Sequence, residues 1–177
     1  MRKVKRENGF SLIELLIVVA IILIIAAIAI PNLLRSRMAA NEASAVGSIR
    51  TMNTASISYN STYGNGFPTL LSQIGTTGTA AVSCNNAELI DSVLTSGAKS
   101  GYTFKVLAGN GLGAKPAGCA AAGSTDGYGV VATPATLGTT GQRSFCSDAS
   151  GVIRFDATGA TAALTNALCP VGLAPLQ

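Results

Sequence analysis

The chain has no histidine and no tryptophan among its 177 residues, and only 5% of them are aromatic and 11% charged. Without imidazole there is no side chain whose ordinary pKa sits between about 5 and 8, so histidine-relayed catalytic triads and histidine metal sites are excluded. The acids beyond residue 63, namely Glu88, Asp91, Asp126, Asp148 and Asp156, are scattered and show no spacing suited to two-carboxylate hydrolysis. Four cysteines lack the C-x-x-C spacing of a zinc site. The Gly-Asn-Gly-Leu-Gly run at 109–113 lacks both G-x-G-x-x-G spacing and a following helix, and reads as a loop. No catalytic, cofactor-binding or metal-binding residue is assigned, and the chain reads as a non-enzyme without a cofactor.

Charge of one sign is also scarce where it would matter. The formal net charge is +4, but residues 1–9 hold Arg2, Lys3, Lys5 and Arg6 against Glu7. If that stretch is removed, eight basic and seven acidic side chains remain, a balance of +1 with no global basic field for nucleic acid. A local patch would have to be assembled from Lys99, Lys105, Lys115 and Arg143.

What the sequence has in abundance is grease at one end. Residues 9–31 read GFSLIELLIVVAIILIIAAIAIP, with a single acid, Glu14. As a helix, Phe10 to Ile30 would reach roughly 31 Å, about one hydrocarbon thickness. The basic residues ahead of it favour a cytoplasmic N-terminus and export of the rest. A secretory signal peptide has a similar basic start, but its apolar core is shorter and ends in a small-residue site, which Ala26-Ala27-Ile28-Ala29 only imitates. A carboxylate inside such a span costs about 2.5–3.5 kcal/mol on insertion scales, so Glu14 needs a cation, and none follows before Arg35.

The basic leader, Gly9, Phe10, Ser-Leu-Ile-Glu with Glu14 fifth after the glycine, the run to Ile22 and Pro31 together resemble the class III signal of type IV pilins and type II secretion pseudopilins. The resemblance is specific over about the first 55 residues and one of layout beyond them. It implies an α+β, pilin-like fold, a long N-terminal helix packed on a roughly four-stranded antiparallel sheet. It implies cleavage between Gly9 and Phe10 by a prepilin peptidase and N-methylation of Phe10. Further implied partners are an inner-membrane assembly platform with a cytoplasmic ATPase and copies of the chain in a helical filament. The protein would be a single-pass inner-membrane protein before assembly and a cell-surface or periplasmic filament afterwards. Physically, cleavage places a cation at the edge of the apolar segment, where it could neutralise Glu14 of a neighbour. The reading taken is a structural subunit of a type IV pilus or pilus-like filament, favoured by a head with four cysteines and no calcium-ligand run, with a type II secretion pseudopilin and a DNA-uptake pilin as the alternatives.

Along the chain, residues 1–9 read as a leader and 10–63 as one helix of roughly 80 Å, with 10–30 transmembrane or filament core and 31–63 amphipathic. Pro31 should kink or loosen it. Leu34, Met38, Ala45, Ile49, Met52, Ser56, Tyr59 and Tyr63 form a stripe at helical spacing, while Glu42 and Arg50 read as surface residues. Arg35 and Arg37 read most simply as solvated charge where the helix leaves the bilayer. Tyr59, Tyr63 and Phe67 read as core packing rather than as a conducting path. The sequon Asn60-Ser61-Thr62 is taken as chance.

Residues 64–177 form a head. Within it, 64–100 is a connection with short helices at Pro68–Ile74 and at about Asn86–Leu94, capped by Asn85 or Asn86. Residues 101–156 carry the sheet, where Tyr102, Phe104 and Val106 alternate with Thr103 and Lys105, and Ser147–Gly151 turns a hairpin. Residues 157–177 are a C-terminal loop. Asp126, Asp148 or Asp156 could offer oxygens to calcium, though no dense ligand run exists. The exported compartment is oxidising, so Cys84, Cys119, Cys146 and Cys169 are expected in two cystines, with three pairings open. Cys84–Cys119 with Cys146–Cys169 is preferred, because the second pins the tail to the third strand and resembles the cystine-closed loop of many pilins.

Overall fold

The computed structural model describes residues 10–64, 66–76, 78, 81–109, 117–119, 127–162 and 164–176. Gly9, the 110–113 part of the glycine run, Lys115 and Asp126 lie outside the described residues. Contacts divide the chain into two units, Met1–Ser36 and Arg37–Gln177.

Helix α1, Leu12–Tyr63, is 52 residues long and continues through Pro31. Proline offers no N–H to the carbonyl of Ala27, so one rung of the hydrogen-bond ladder is missing there. In the second unit the buried positions of α1 are Glu42, Ala45, Val46, Ser48, Ile49, Met52, Asn53, Ala55, Ser56 and Tyr59. Their three-and-four rhythm puts them on one face. Met38 and Tyr63 are only partly buried and Leu34 is 49% exposed, so the stripe is narrower than the sequence suggests. The helix stops at Gly64, whose φ of +58° few other residues adopt and whose N–H donates to the Asn60 carbonyl.

Two short helices follow, α2 at Leu71–Ile74 and α3 at Ser92–Thr95. The helix expected over Asn86–Leu94 is therefore corrected to a four-residue turn capped by Asp91, whose Oδ1 accepts from Leu94 N–H at 2.7 Å. The cause lies in the residues before it. The N–H groups of Ala87, Glu88, Leu89 and Ile90 donate to the carbonyls of Gln73, Gly75 and Ile74, satisfying the open end of α2. Ile90 N–H, which an Asn86-capped helix would need for its first bond, is thus taken, and Glu88 at φ +54° lies outside the right-handed helical region.

The sheet contains β1 (Ala98–Lys99), β2 (Tyr102–Ala108), β3 (Tyr128–Pro134), β4 (Ser144–Asp148), β5 (Ile153–Asp156) and β6 (Ala174–Pro175). All neighbours are antiparallel and the spatial order follows the chain order, a six-stranded meander. The expected four strands become six because β1 and β6 are two residues each, too short to show a period of two. In β2, Tyr102, Phe104 and Val106 face the core with α1, as the alternation requires.

One sheet face was expected to be covered, by the helix. In the middle of the sheet both faces are covered: every residue of β4 and the first five of β3 are buried. A second small core on the face away from α1 joins Val131, Cys146, Ala162 and Cys169, with Leu164 and Leu173 packed on it. The C-terminal loop is thus a layer of its own. Gly129 in β3 permits its approach, since a Cβ there would stand 2.6 Å from the Ala167 carbonyl oxygen. The four cysteines form Cys84–Cys119 and Cys146–Cys169, the latter tying the loop to β4. Each cystine is worth about 2–4 kcal/mol through restriction of the unfolded chain.

Candidate functional site

The first site is the uncovered start of α1. From Leu12 to Ile25 every large apolar side chain is at least 46% exposed, and the most apolar stretch has a mean hydropathy of 3.3 with none of it buried. Such a surface calls for an apolar environment around it and fits membrane anchoring. Glu14 is the one charged residue on it, and here the structure adds a contact that the sequence reading missed. The backbone N–H of Ser11 donates to Glu14 Oε2 at 3.1 Å, while the Ser11 carbonyl accepts the first helical bond from Leu15 N–H. Ser11 is thus the N-cap residue, and Glu14, three positions on, supplies the returning half of a capping box. The signal was legible as Ser-x-x-Glu opening an apolar run. Glu14 therefore has a local structural role beside any role between subunits.

The second site joins the helix to the sheet. Glu42, read from sequence as a surface residue, is 8% exposed. Its Oε1 accepts from the N–H groups of Gln142 (2.9 Å) and Arg143 (3.2 Å), and its Oε2 meets Arg143 Nε (2.8 Å) and NH2 (2.7 Å). The Arg143 guanidinium also lies over the rings of Phe145 and Phe155, at 5.6 and 5.2 Å. Tyr102 O–H donates to the Arg143 carbonyl, and Asn41 Nδ2 to the Thr140 carbonyl. Burial pushes the Glu42 carboxyl up, but the Gln142 N–H, the Arg143 side chain and the Arg143 N–H outweigh it and hold its pKa below 4.5.

Asp148 plays the same part on the other face. Its Oδ2 accepts from Cys169 N–H at 3.1 Å and its Oδ1 from Ser150 N–H at 2.9 Å, so one carboxylate secures both the hairpin and the cystine loop. Burial again raises its pKa, and the Ser150 hydroxyl and N–H, the Cys169 N–H and the charge of Arg154 bring it below 3.8. Asp156 is engaged by the N–H and hydroxyl of Thr158. The two described acids considered for calcium thus hold turns, and among the described residues no three His, Cys, Asp or Glu side chains gather. Of the basic residues considered for a patch, Arg143 is paired with Glu42 and Lys99 with Asp91 at 3.0 Å, Lys105 is exposed and Lys115 lies outside the described residues. Tyr59 and Tyr63 pack at 5.2 Å and Phe67 on Tyr128 at 5.3 Å, with Tyr59 fully buried and its O–H donated to the Cys84 carbonyl.

These shifts fix a pH dependence. Glu42 and Asp148 have folded pKa values below their unfolded ones, so their contribution is present above the unfolded values and lost as pH falls through the lowered folded values. Burial and Asp148 push Tyr128 from 10.0 up to about 12, so its contribution is complete below 10 and drains away as pH rises to about 12. Burial, with Glu42 adding to it, raises Tyr102 as well. Calorimetry on the full chain should give a flat melting temperature from about pH 5 to 9, falling on both sides, with the acid limb shallower in Glu42→Gln. An acid limb unchanged in that variant would remove Glu42 from the account.

Residues 4–30 match the family described as the prokaryotic N-terminal methylation motif. The chain is similar to the type IV wide pilus major component of Thermus thermophilus, 60% identical over 38 residues, which are 22% of this chain and 29% of that protein. It is also similar to the type IV major pilin protein of Myxococcus xanthus, 46% identical over 54 residues, 30% of this chain and 24% of that one. The matched part thus spans less than a third of either relative. No solved structure matches significantly.

Proposed function

We propose that this chain, which carries the prepilin methylation motif and a pilin-like α+β fold, is a structural subunit of a type IV pilus. The observation that carries the reading is the fully uncovered apolar start of α1 with a single acid on it. A solvent-exposed surface of this kind is stable only in lipid or in a bundle of the same helices, and a subunit moving from one to the other uses both. In this reading prepilin peptidase cuts between Gly9 and Phe10, and Phe10 is N-methylated. The chain waits in the inner membrane with its N-terminus cytoplasmic, and an assembly platform driven by a cytoplasmic ATPase adds it to the filament. Pro31 is the place where α1 gives during that transfer, since one of its internal bonds is missing.

A pseudopilin of a type II secretion system would carry the same N-terminus. The pilus is favoured because both relatives named above are pilus components. Mass spectrometry of fibres sheared from cells tests the proposal. The expected species begins at N-methylated Phe10 and is abundant in the fibre fraction. A chain found only in membranes with residues 1–9 attached would overturn it, and a secretion defect without surface fibres would move it to the pseudopilin reading.

A further inference from the structure

Beside the second half of α1 the head carries an open groove of about 300 Å³. It is lined by Ala39, Ala43, Val46 and Leu176, by the ion-paired Glu42 and Arg143, and by Arg50. Arg143 already has Glu42 as a counter-ion, whereas Arg50 is exposed and has no ion pair among the described residues. Arg50 also borders a second hollow of about 230 Å³ with Val152, Ile153 and Leu176. A ligand for this place would bring an apolar group to the alanine wall and a carboxylate to Arg50.

Elsewhere on the same head is a corner of that chemistry. Glu88 and Leu89 are adjacent and both exposed, at the segment that closes α2. Glu88 has φ +54°, an uncommon conformation for a residue with a side chain, held by its N–H bond to the Gly75 carbonyl. Its carboxylate receives the Thr76 hydroxyl at 3.3 Å, and no cation bridges it among the described residues. Of the head's other described acids, Glu42 and Asp91 are in ion pairs and Asp148 and Asp156 hold turns. Among the described residues of the second unit, Glu88 is thus an exposed carboxylate and Arg50 an exposed groove-lining guanidinium outside any ion pair.

We infer that the groove receives the Glu88-Leu89 corner of a second copy, with Leu89 against Ala39, Ala43 and Val46 and Glu88 on Arg50. The two surfaces complement each other in charge, Arg50 against Glu88, and in apolar character, the alanine wall against Leu89. Because the surfaces differ, the contact is heterologous and propagates from copy to copy, as a fibre requires. This inference rests on the filament reading above and adds a contact between heads to the contact between N-terminal helices.

Charge reversal tests it in cells producing the full chain. Arg50→Glu and Glu88→Arg, each placing like charges together, should lower sheared fibre yield about tenfold or more, and the double variant should restore it. Both sites are exposed, so membrane levels of processed subunit and its melting temperature should stay at the wild-type values. If both single variants give normal fibre, or the double variant is no better than the singles, the docking is overturned and the filament reading stands. If the wild-type chain forms no fibre at all, the filament reading itself falls.

Discussion

Glu14→Val is expected to leave membrane insertion and processing of the chain unchanged while reducing sheared fibres about a hundredfold or more. The reasoning starts from cost. A buried charge that loses its partner is destabilised by about 3–5 kcal/mol, and a filament in which each Phe10 amine meets a neighbouring Glu14 would face that loss at every subunit. Insertion should improve if it changes at all, since the acid is unfavourable in lipid. The capping contact between Ser11 N–H and Glu14 Oε2 supplies a competing explanation, because valine also removes a cap worth about 0.5–2 kcal/mol. Glu14→Gln separates the two. Glutamine at this position keeps a side-chain oxygen for the Ser11 N–H but carries no charge. If pairing between subunits is the function, Glu14→Gln fails to assemble as Glu14→Val does. Normal fibre from the glutamine variant would show that the cap alone matters.

The second large effect is on the stability of the head. Glu42→Ala removes the acceptor of two backbone N–H groups and the counter-ion of Arg143, all at the junction of α1 with the segment entering β4. Breaking a buried pair costs about 3–5 kcal/mol, but the Arg143 side chain is 39% exposed, and solvent screening brings the expected loss to about 2–4 kcal/mol. Asp91→Ala breaks an ion pair whose side chains are 35% and 50% exposed. Its charge contribution should be under about 1 kcal/mol, with a similar amount for the α3 cap. Denaturant titration of the full chain gives both values. A Glu42→Ala midpoint indistinguishable from wild type would show that the junction is held by apolar packing alone.

Glu42 also shows where the sequence stops being readable. A charged residue among Ala, Ser and Asn on a helix looks solvent-facing, and its partners are 100 and 101 positions away, beyond any local pattern. Strand β2 was legible through its alternation, and β4 and β5 through the Ser147–Gly151 turn between them, since both signals are local. Residues 86–90 were not, since helical composition there is overruled by the carbonyls of α2. The C-terminal loop hid its second core for a similar reason: Ala162, Leu164, Cys169 and Leu173 have no regular spacing. At the N-terminus residues 4–30 were legible as a motif, and the capping contact of Glu14 lies within it in the letters Ser-Leu-Ile-Glu.

The separate layer over the outer sheet face is held by ties of its own. It is fastened by Cys146–Cys169, by Asp148 on the Cys169 N–H, and by Arg154 on the Leu173 carbonyl, none of which involves α1. Leu168 and Val171, 57% and 89% exposed, project from it without touching the helix-facing core. Substitutions at Leu168 and Val171 can therefore alter the outward surface of this layer while the ties that hold it, and the Ser11–Glu14 cap at the start of α1, stay as they are.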